Sequence, residues 1–245
     1  MPCLTDHSAK RKRCAALHWA ARFVVPVALS VAVLVSAGSA HAETNEKCLA
    51  SWKKPSIDIK RITAKPTINH KKNSRQIEAV AKKSNFVKAK GYKRLLGLNN
   101  VSLAQNISVS TSHSKAKDGR YCIRLEKVSF DFGIRKTEIY IDRKYRKSTC
   151  AYKVTLEHEN EHTRLNQKTV DEYRPRIKKD LKKSVVQIKP FLTRDPNFAI
   201  QSIISRISFD MKPLLEEFSA ARQAANDVID TKQSYLATHR KCNDW

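Results

Sequence analysis

The sequence predicts an α+β fold in which a small antiparallel sheet precedes a helical C-terminal half. Between about residues 95 and 145, apolar residues alternate with polar ones, which is the period of half-buried strands. From about residue 151 to 241, apolar residues recur at spacings of three and four, the period of amphipathic helices. A basic and then apolar leader at residues 1–42 stands apart from a single predicted domain at residues 43–245.

The leader has the three parts of a secretory signal peptide. Basic residues at 10–13 precede an apolar run from Phe23 to Val35, and Ala40-His41-Ala42 has the small residues of a cleavage site. The apolar run is shorter than the roughly 20 residues of a membrane span, and no second candidate follows. We predict cleavage near Ala42, export to the periplasm or beyond, and a mature chain without a transmembrane span. An uncleaved anchor is the alternative.

The chain is strongly basic, with 48 Lys and Arg residues against 23 Asp and Glu residues. Removing residues 1–42 takes away five basic residues and one acidic residue and leaves a net charge of +21. A field of this sign attracts polyanions such as cell wall or lipid head groups. Aromatic residues that would stack on bases are sparse near the basic runs, which argues against specific nucleic-acid binding.

The N-terminal part of the domain contains two predicted elements before the sheet. Alternation over 56–62 predicts an edge strand, and residues 74–83 predict a short helix. Turn residues Asp118-Gly119 and Gly133 then divide the alternating region. This predicts three antiparallel strands, at about 101–109, 121–132 and 136–142.

The helical half begins after Ser148 or Thr149, either of which can cap a helix. That helix is predicted from about Ala151 to Tyr173, with a kink or break at Pro175 and an apolar stripe that continues beyond it. The rest of the half is predicted as a loop at 190–196, a short helix at 198–207 and a long final helix with an apolar face at Leu214, Phe218, Ala221, Ala225 and Val228.

The first of these helices carries the string His158-Glu159-Asn160-Glu161-His162. Positions four apart lie on one face of a helix, so both imidazoles can bind one ion. Neutral imidazole suits Zn²⁺, and Glu159 is placed to act as a general base toward water on the metal. The alternative is an exposed polar turn of helix with alternating charge.

This helix and the segment before it resemble a known group of proteins. The run Glu138-Ile-Tyr-Ile-Asp-Arg-Lys-Tyr-Arg-Lys-Ser-Thr-Cys150-Ala-Tyr, followed by Leu156-Glu-His-Glu-Asn-Glu-His162, resembles secreted bacterial HExxH proteins regarded as zinc-dependent, zincin-like proteases. The similarity covers roughly residues 95–185. It implies a zincin-like metal helix with His158 and His162 as ligands and Glu159 as the general base, and it implies no substrate.

A catalytic zinc normally has three protein ligands, so a third must come from elsewhere. Leu165 and Lys168 occupy the glycine and third-histidine positions of the metzincin extension, which is therefore absent. We expect the third ligand to be Glu216 or Glu217 on the final helix. Further candidates are Asp210, Asp227, Asp230 and His239.

Four cysteines remain after the leader is removed, an even number that indicates two disulfides in an exported protein. Three pairings are possible, and the sequence does not choose among them. We favour Cys122 with Cys150 and Cys48 with Cys242, since the first bond would tie the sheet to the start of the helix. A Zn–Cys₄ site is the competing interpretation, but the chain has no C-x₂-C pair.

Together these features predict a periplasmic or secreted zinc metallopeptidase acting on peptides or envelope proteins. The alternative is a non-catalytic basic envelope protein that binds anionic lipid, cell wall or other polyanions through its charge.

Overall fold

The computed structural model describes residues 39–84 and 95–245, with side chains from Asn45 onward. The signal-peptide prediction for residues 1–42 lies outside the described residues, except that Ser39 to Ala42 begin the first helix. The elements in chain order are α1 Ser39–Ala50, β1 Ser56–Ile62, β2 Thr67–Asn69, α2 Ser74–Lys83, β3 Gly97–Lys115, β4 Tyr121–Ile141, α3 Cys150–Val186, β5 Phe191–Thr193, α4 Pro196–Asp227 and α5 Lys232–His239.

Strand β4 is the centre of a mixed five-stranded sheet, and the α+β class is confirmed. Antiparallel β3 pairs with one edge of β4 over nearly its whole length. On the other edge β5, β1 and β2 follow one another, with β1 and β2 running parallel to β4. The expectation of a purely antiparallel sheet is therefore wrong, because the chain passes through α2 and β3 before it forms β4.

The predicted turn at Gly133 is also wrong, and the predicted second and third strands are one strand, β4. Gly133 has φ = 143°, a conformation that glycine adopts at low cost. The carbonyl group of Ile62, the last residue of β1, lies against Gly133 where a side chain would stand. Glycine here allows the close approach of β1 while pairing with β3 continues past it, at Ala104 and Leu103.

The N-terminal predictions are confirmed at the residues expected, with β1 at Ser56–Ile62 and α2 at Ser74–Lys83. Helix α2 has a reciprocal capping box, in which Asn73 accepts from the Gln76 N–H and the Gln76 side chain accepts from the Asn73 N–H.

The C-terminal half contains two helices that are longer than the sequence predicts and a short last helix, α5, that it does not predict separately. Helix α3 begins at its predicted cap, Thr149, and passes through Pro175 without ending. The two predicted helices after residue 196 are the single helix α4, which contains Pro213, and the predicted loop at 190–196 contains β5. Buried residues on one side of α4 keep it packed despite the proline, namely Ile203, Ile207, Met211, Leu214 and Phe218.

The main core lies between one face of the sheet, the C-terminal half of α3 and α4. Phe130 and Phe132 of β4 meet Ile177 of α3 and Phe218 of α4, all without solvent exposure. Burying a side chain of this size stabilises the fold by about 1.5–3 kcal/mol. A second cluster, at the other end of β4, holds the start of α3, so the HExxH turn lies on a helix fixed at both ends.

The disulfides join Cys48 to Cys122 and Cys150 to Cys242, so the favoured pairing is wrong. The reason is topological. Helix α1 packs beside β5 at the start of β4, where Cys122 lies, and the C-terminal residues return to the first turn of α3. Within residues 39–84 and 95–245, none of the helices combines the length and apolarity that a membrane crossing requires.

Candidate metal centre

Helix α3 places the two histidines of the motif one turn apart with their rings converging. The Nε2 atoms of His158 and His162 are 3.2 Å from each other, and the side chains are only 12% and 9% exposed. Such an approach of two ring nitrogens is what the i, i+4 spacing predicts for a pair aimed at one point.

Asp230 completes the group from the turn that follows α4. Its Oδ1 atom is 3.2 Å from the Nε2 atom of each histidine. Tyr235 of α5 donates a hydrogen bond of 2.9 Å to the same oxygen, and its ring lies 5.3 Å from that of His158. Asp230 is therefore fixed by contacts to both α3 and α5.

The three atoms have the chemistry and the spacing of a metal ligand set. Tetrahedral zinc with bonds of about 2.0–2.2 Å requires ligand atoms about 3.3–3.6 Å apart. The observed separations are all 3.2 Å, so a cation can be held with little rearrangement. His158, His162 and Asp230 thus form a group that fits a metal ion.

A relay of amides supports His162 from the side away from Asp230. The Nδ1 atom of His162 is 2.7 Å from Oδ1 of Asn226. The amide nitrogen of Asn226 donates to Arg222 O and Asn166 Oδ1, so its oxygen must face the histidine. Nδ1 therefore carries a proton, so that in the neutral ring Nε2 would present its lone pair to a metal ion.

Arg222 lies behind this relay as a half-buried cation. Its Nη1 atom donates to Asn166 Oδ1 at 3.0 Å, while its Nε atom is buried without a hydrogen-bond partner. Burial lowers the pKa of Arg222. Among the described residues no carboxylate pairs with it, so it keeps a positive charge near the relay uncompensated by an acid.

Glu159 points away from solvent toward the beginning of β3. It is 5% exposed, and its carboxylate lies against Gly97, where an added methyl group would collide with it. Asn99 of β3 donates to the Glu159 backbone carbonyl at 2.7 Å and fixes the helix against the strand. Burial raises the pKa of Glu159 to about 7, a suitable value for a group that exchanges protons near neutrality.

The charges of the group are strongly coupled in the metal-free protein. Burial alone would lower the pKa of His162, but the hydrogen bond to Asp230 and the charge of Glu159 raise it to about 9. Burial alone would raise the pKa of Asp230, but hydrogen bonds to both histidines hold it well below its usual range. The cluster thus favours a bound positive charge, which a proton supplies when no metal does.

Neither of the expected third ligands, Glu216 or Glu217, belongs to this group. Glu217 is ion-paired with Arg176, and Glu216 lies 3.7 Å from Lys212 on exposed α4. The reason is that α4 extends about three turns beyond these residues and approaches the histidines only near its end, at Asn226, with Asp230 following.

The remaining candidates have other partners. Asp210 accepts from Ser184 and Arg206, Asp227 accepts from Gln223, and His239 stacks on Trp245. Glu161, the unexpected acid inside the motif, is exposed and bound to Arg164. It therefore lies on the solvent side of α3.

Sequence reasoning placed Asp230 only among several reserves and did not identify Asn226 or Tyr235. The available signal was weak. Asn226 and Asp230 are polar residues four apart at the end of the amphipathic pattern of α4, which is also ordinary for a helix terminus.

Comparison with known proteins does not add to this description. No protein-family model, no curated protein and no solved structure matches the chain.

Proposed function

We propose that the protein is an exported zinc-dependent metallopeptidase of zincin-like design. The observation that carries the proposal is the convergence of His158, His162 and Asp230 with all three ligand atoms 3.2 Å apart. Two disulfides suit an oxidising compartment and support export.

In this proposal, His158, His162 and Asp230 hold the zinc ion. Bound zinc would polarise a peptide carbonyl and acidify a coordinated water. Glu159 would act as the general base, accepting the proton of the attacking water and donating it to the leaving nitrogen, a role that its buried carboxyl suits. The relay through Asn226 keeps His162 in its metal-binding tautomer.

Metal content and hydrolysis of fluorescein-labelled casein test the proposal. The wild type is expected to hold about one equivalent of zinc and to cleave casein. His158→Ala and Asp230→Asn are expected to lose the metal, whereas Glu217→Gln should keep it. A wild type with both disulfides formed that takes up no zinc would contradict the proposal.

The general base is tested separately with two acids of the same motif. Glu159→Gln is expected to retain zinc and lose at least about 100-fold in hydrolysis, the lower range for removal of a general base. Glu161→Gln is the matched control, since the carboxylate of Glu161 is paired with the exposed Arg164, and should remain active. Equal activity of both variants would exclude Glu159 as the base.

A second candidate function is binding to anionic surfaces, favoured by one exposed face of α3. From residue 174 to its end, this helix carries six exposed cationic residues. Arg176 is paired with Glu217, and the other five are Arg174, Lys178, Lys179, Lys182 and Lys183. Binding to phosphatidylglycerol vesicles should weaken steeply between low and high salt, because it releases counterions. Binding that does not change with salt would exclude this mode. The two functions are compatible, since charge can bring an enzyme to its substrate.

A further inference from the structure

The proposed third ligand, Asp230, lies in the longest run of described residues in which no residue is buried. Phe218 is fully buried, and the next buried residue is Cys242. None of residues 219–241 is buried, and α5 contributes no residue to any core. Asp230 lies at the midpoint, twelve residues from each of these two buried positions.

On the side of α4, Asp230 follows a helix end that is attached to α3 through polar contacts, those of Asn226 with His162 and Asn166 and of Arg222 with Asn166. The N–H groups of Ile229 and Asp230 donate to the carbonyls of Asn226 and Asp227, as in a last turn of helix. Such terminal turns fray readily when no buried apolar side chain holds them. A second attachment beyond Asp230 therefore adds to the support of its carboxylate.

That second attachment is at the N-terminus of α3, the helix that carries the histidines. Cys242 is bonded to Cys150, with the two Cα atoms 5.7 Å apart. Both carboxylate oxygens of Asp244 accept backbone N–H groups of the first turn of α3, those of Cys150 and Ala151, at 3.0 Å each. Trp245 packs edge-on against Tyr145.

These contacts close a ring of connected residues that includes the metal position. The ring runs from the first turn of α3 through the disulfide and α5 to Asp230, and back to α3 at His158. From Cys150 to His158 is eight residues, or about 12 Å along the helix. Tyr235, which donates to Asp230, belongs to the same ring.

We propose that the Cys150–Cys242 disulfide and Asp244 are positioning elements for Asp230, so that the metal site is complete only after this disulfide has formed. The inference rests on the proposed metal site and adds a condition for its assembly. Oxidation joins the two Sγ atoms and passes two electrons and two protons to a disulfide oxidant such as oxidised glutathione, which leaves as two thiols. The reduced chain would thus have low affinity for a metal at His158, His162 and Asp230 until it reaches an oxidising compartment.

The second disulfide provides a matched control. Cys48–Cys122 closes a sequence separation of 74 residues and Cys150–Cys242 one of 92, so the chain-entropy effects of the two bonds are similar. Only the latter holds the segment with Asp230. Serine variants are preferable to chemical reduction, because free thiols of Cys150 and Cys242 beside Asp244 can bind zinc themselves.

Zinc affinity is measured by competition with a chelator of known affinity, with far-ultraviolet circular dichroism to verify folding. Loss of outer support for a metal ligand typically lowers affinity 10- to 100-fold. We expect a loss of at least about tenfold for the Cys150→Ser/Cys242→Ser variant and less than about threefold for Cys48→Ser/Cys122→Ser. An equal loss in both variants, or no loss in the first, would overturn the proposal.

Asp244→Asn is the second variant. It tests the positioning role if the Cys150→Ser/Cys242→Ser variant does not fold. It keeps the disulfide and removes the charge that caps α3, so a several-fold loss of zinc affinity is expected. Unchanged affinity of this variant, when the double-serine variant is unfolded, would reject the positioning role. Failure of the wild type to bind zinc would instead reject the proposed function, so the two failures are distinguishable.

Discussion

Asn226 shows how a neutral residue can determine the chemistry of a ligand. It is uncharged and is not one of the three proposed ligands, yet its oxygen accepts a hydrogen bond from Nδ1 of His162 and so leaves Nε2 to face the metal position. The orientation of the Asn226 amide is fixed because its nitrogen donates to two acceptors, Asn166 Oδ1 and Arg222 O.

Replacing Asn226 by alanine is expected to weaken zinc binding by roughly 10- to 100-fold, the usual effect of losing an outer-shell partner. Chelator competition measures the change. Gln223→Ala is the control, since Gln223 lies on the same helix and its side chain contacts only Asp227. If the two variants bind zinc equally well, the amide relay has no role in metal binding.

His162 also makes the stability of the metal-free protein depend on pH. Its pKa is about 6.5 in an unfolded chain and about 9 in the folded protein. The stabilisation from its protonation is complete below about pH 6.5 and is lost as the pH rises through 9. The pKa of Glu159 is also raised, to about 7, so its contribution to stability is likewise lost as the pH rises, but over a range of lower pH.

The free energy of unfolding of zinc-free protein is therefore expected to fall by up to roughly 3 kcal/mol between pH 6.5 and 9. Urea unfolding at several pH values measures it. With saturating zinc the decline should be much smaller, because the metal replaces the proton on the ring. A zinc-free protein of constant stability over this range would show that His162 does not titrate as described.

At the scale of elements, the sequence predicted those features that depend on neighbouring residues. The alternation over β1 is local, and so are the residues that form and cap α2. Both elements have the predicted bounds. The pair His158 and His162 is local in the same sense. Asp230 is 68 residues beyond His162, and tertiary contacts of α4 and of the residues after it bring the two together, so no spacing could identify it. The disulfide pairing depends on topology for the same reason.

Gly133 does not form a turn, although a glycine between two alternating runs normally indicates one. It lies within one long strand, at the point where β1 ends beside it. Its positive φ and the close approach of the Ile62 carbonyl are two separate requirements for glycine.

Gly133→Ala is expected to destabilise the protein by more than about 2 kcal/mol, combining backbone strain with a displacement of β1. Gly119→Ala isolates the first contribution, since Gly119 also has a positive φ, of 82°, but has open space where a side chain would stand. About 1 kcal/mol is expected there. Equal losses in thermal or urea unfolding would show that the contact with Ile62 is unimportant.

At the scale of the whole molecule, a formal net charge of +25 on 245 residues opposes compaction. Repulsion among exposed cations falls as salt shortens the screening length from about 30 Å at 0.01 M to about 8 Å at 0.15 M. Lys178 and Lys182 are exposed, four residues apart on one face of α3, and like charges at this spacing destabilise a helix.

The melting temperature is therefore expected to rise by a few degrees between 0.01 and 0.15 M sodium chloride, because screening relieves the repulsion. Replacing Lys178 and Lys182 by glutamine should raise the melting temperature at low salt and reduce the later rise. Lys168→Gln is the control, since Lys168 is exposed on the same helix but lies 3.7 Å from Glu172, so its removal relieves no repulsion. A melting temperature that is independent of salt would show that repulsion among the cations of α3 does not reduce the stability of the protein. Equal effects of the Lys178/Lys182 and Lys168 replacements would show the same.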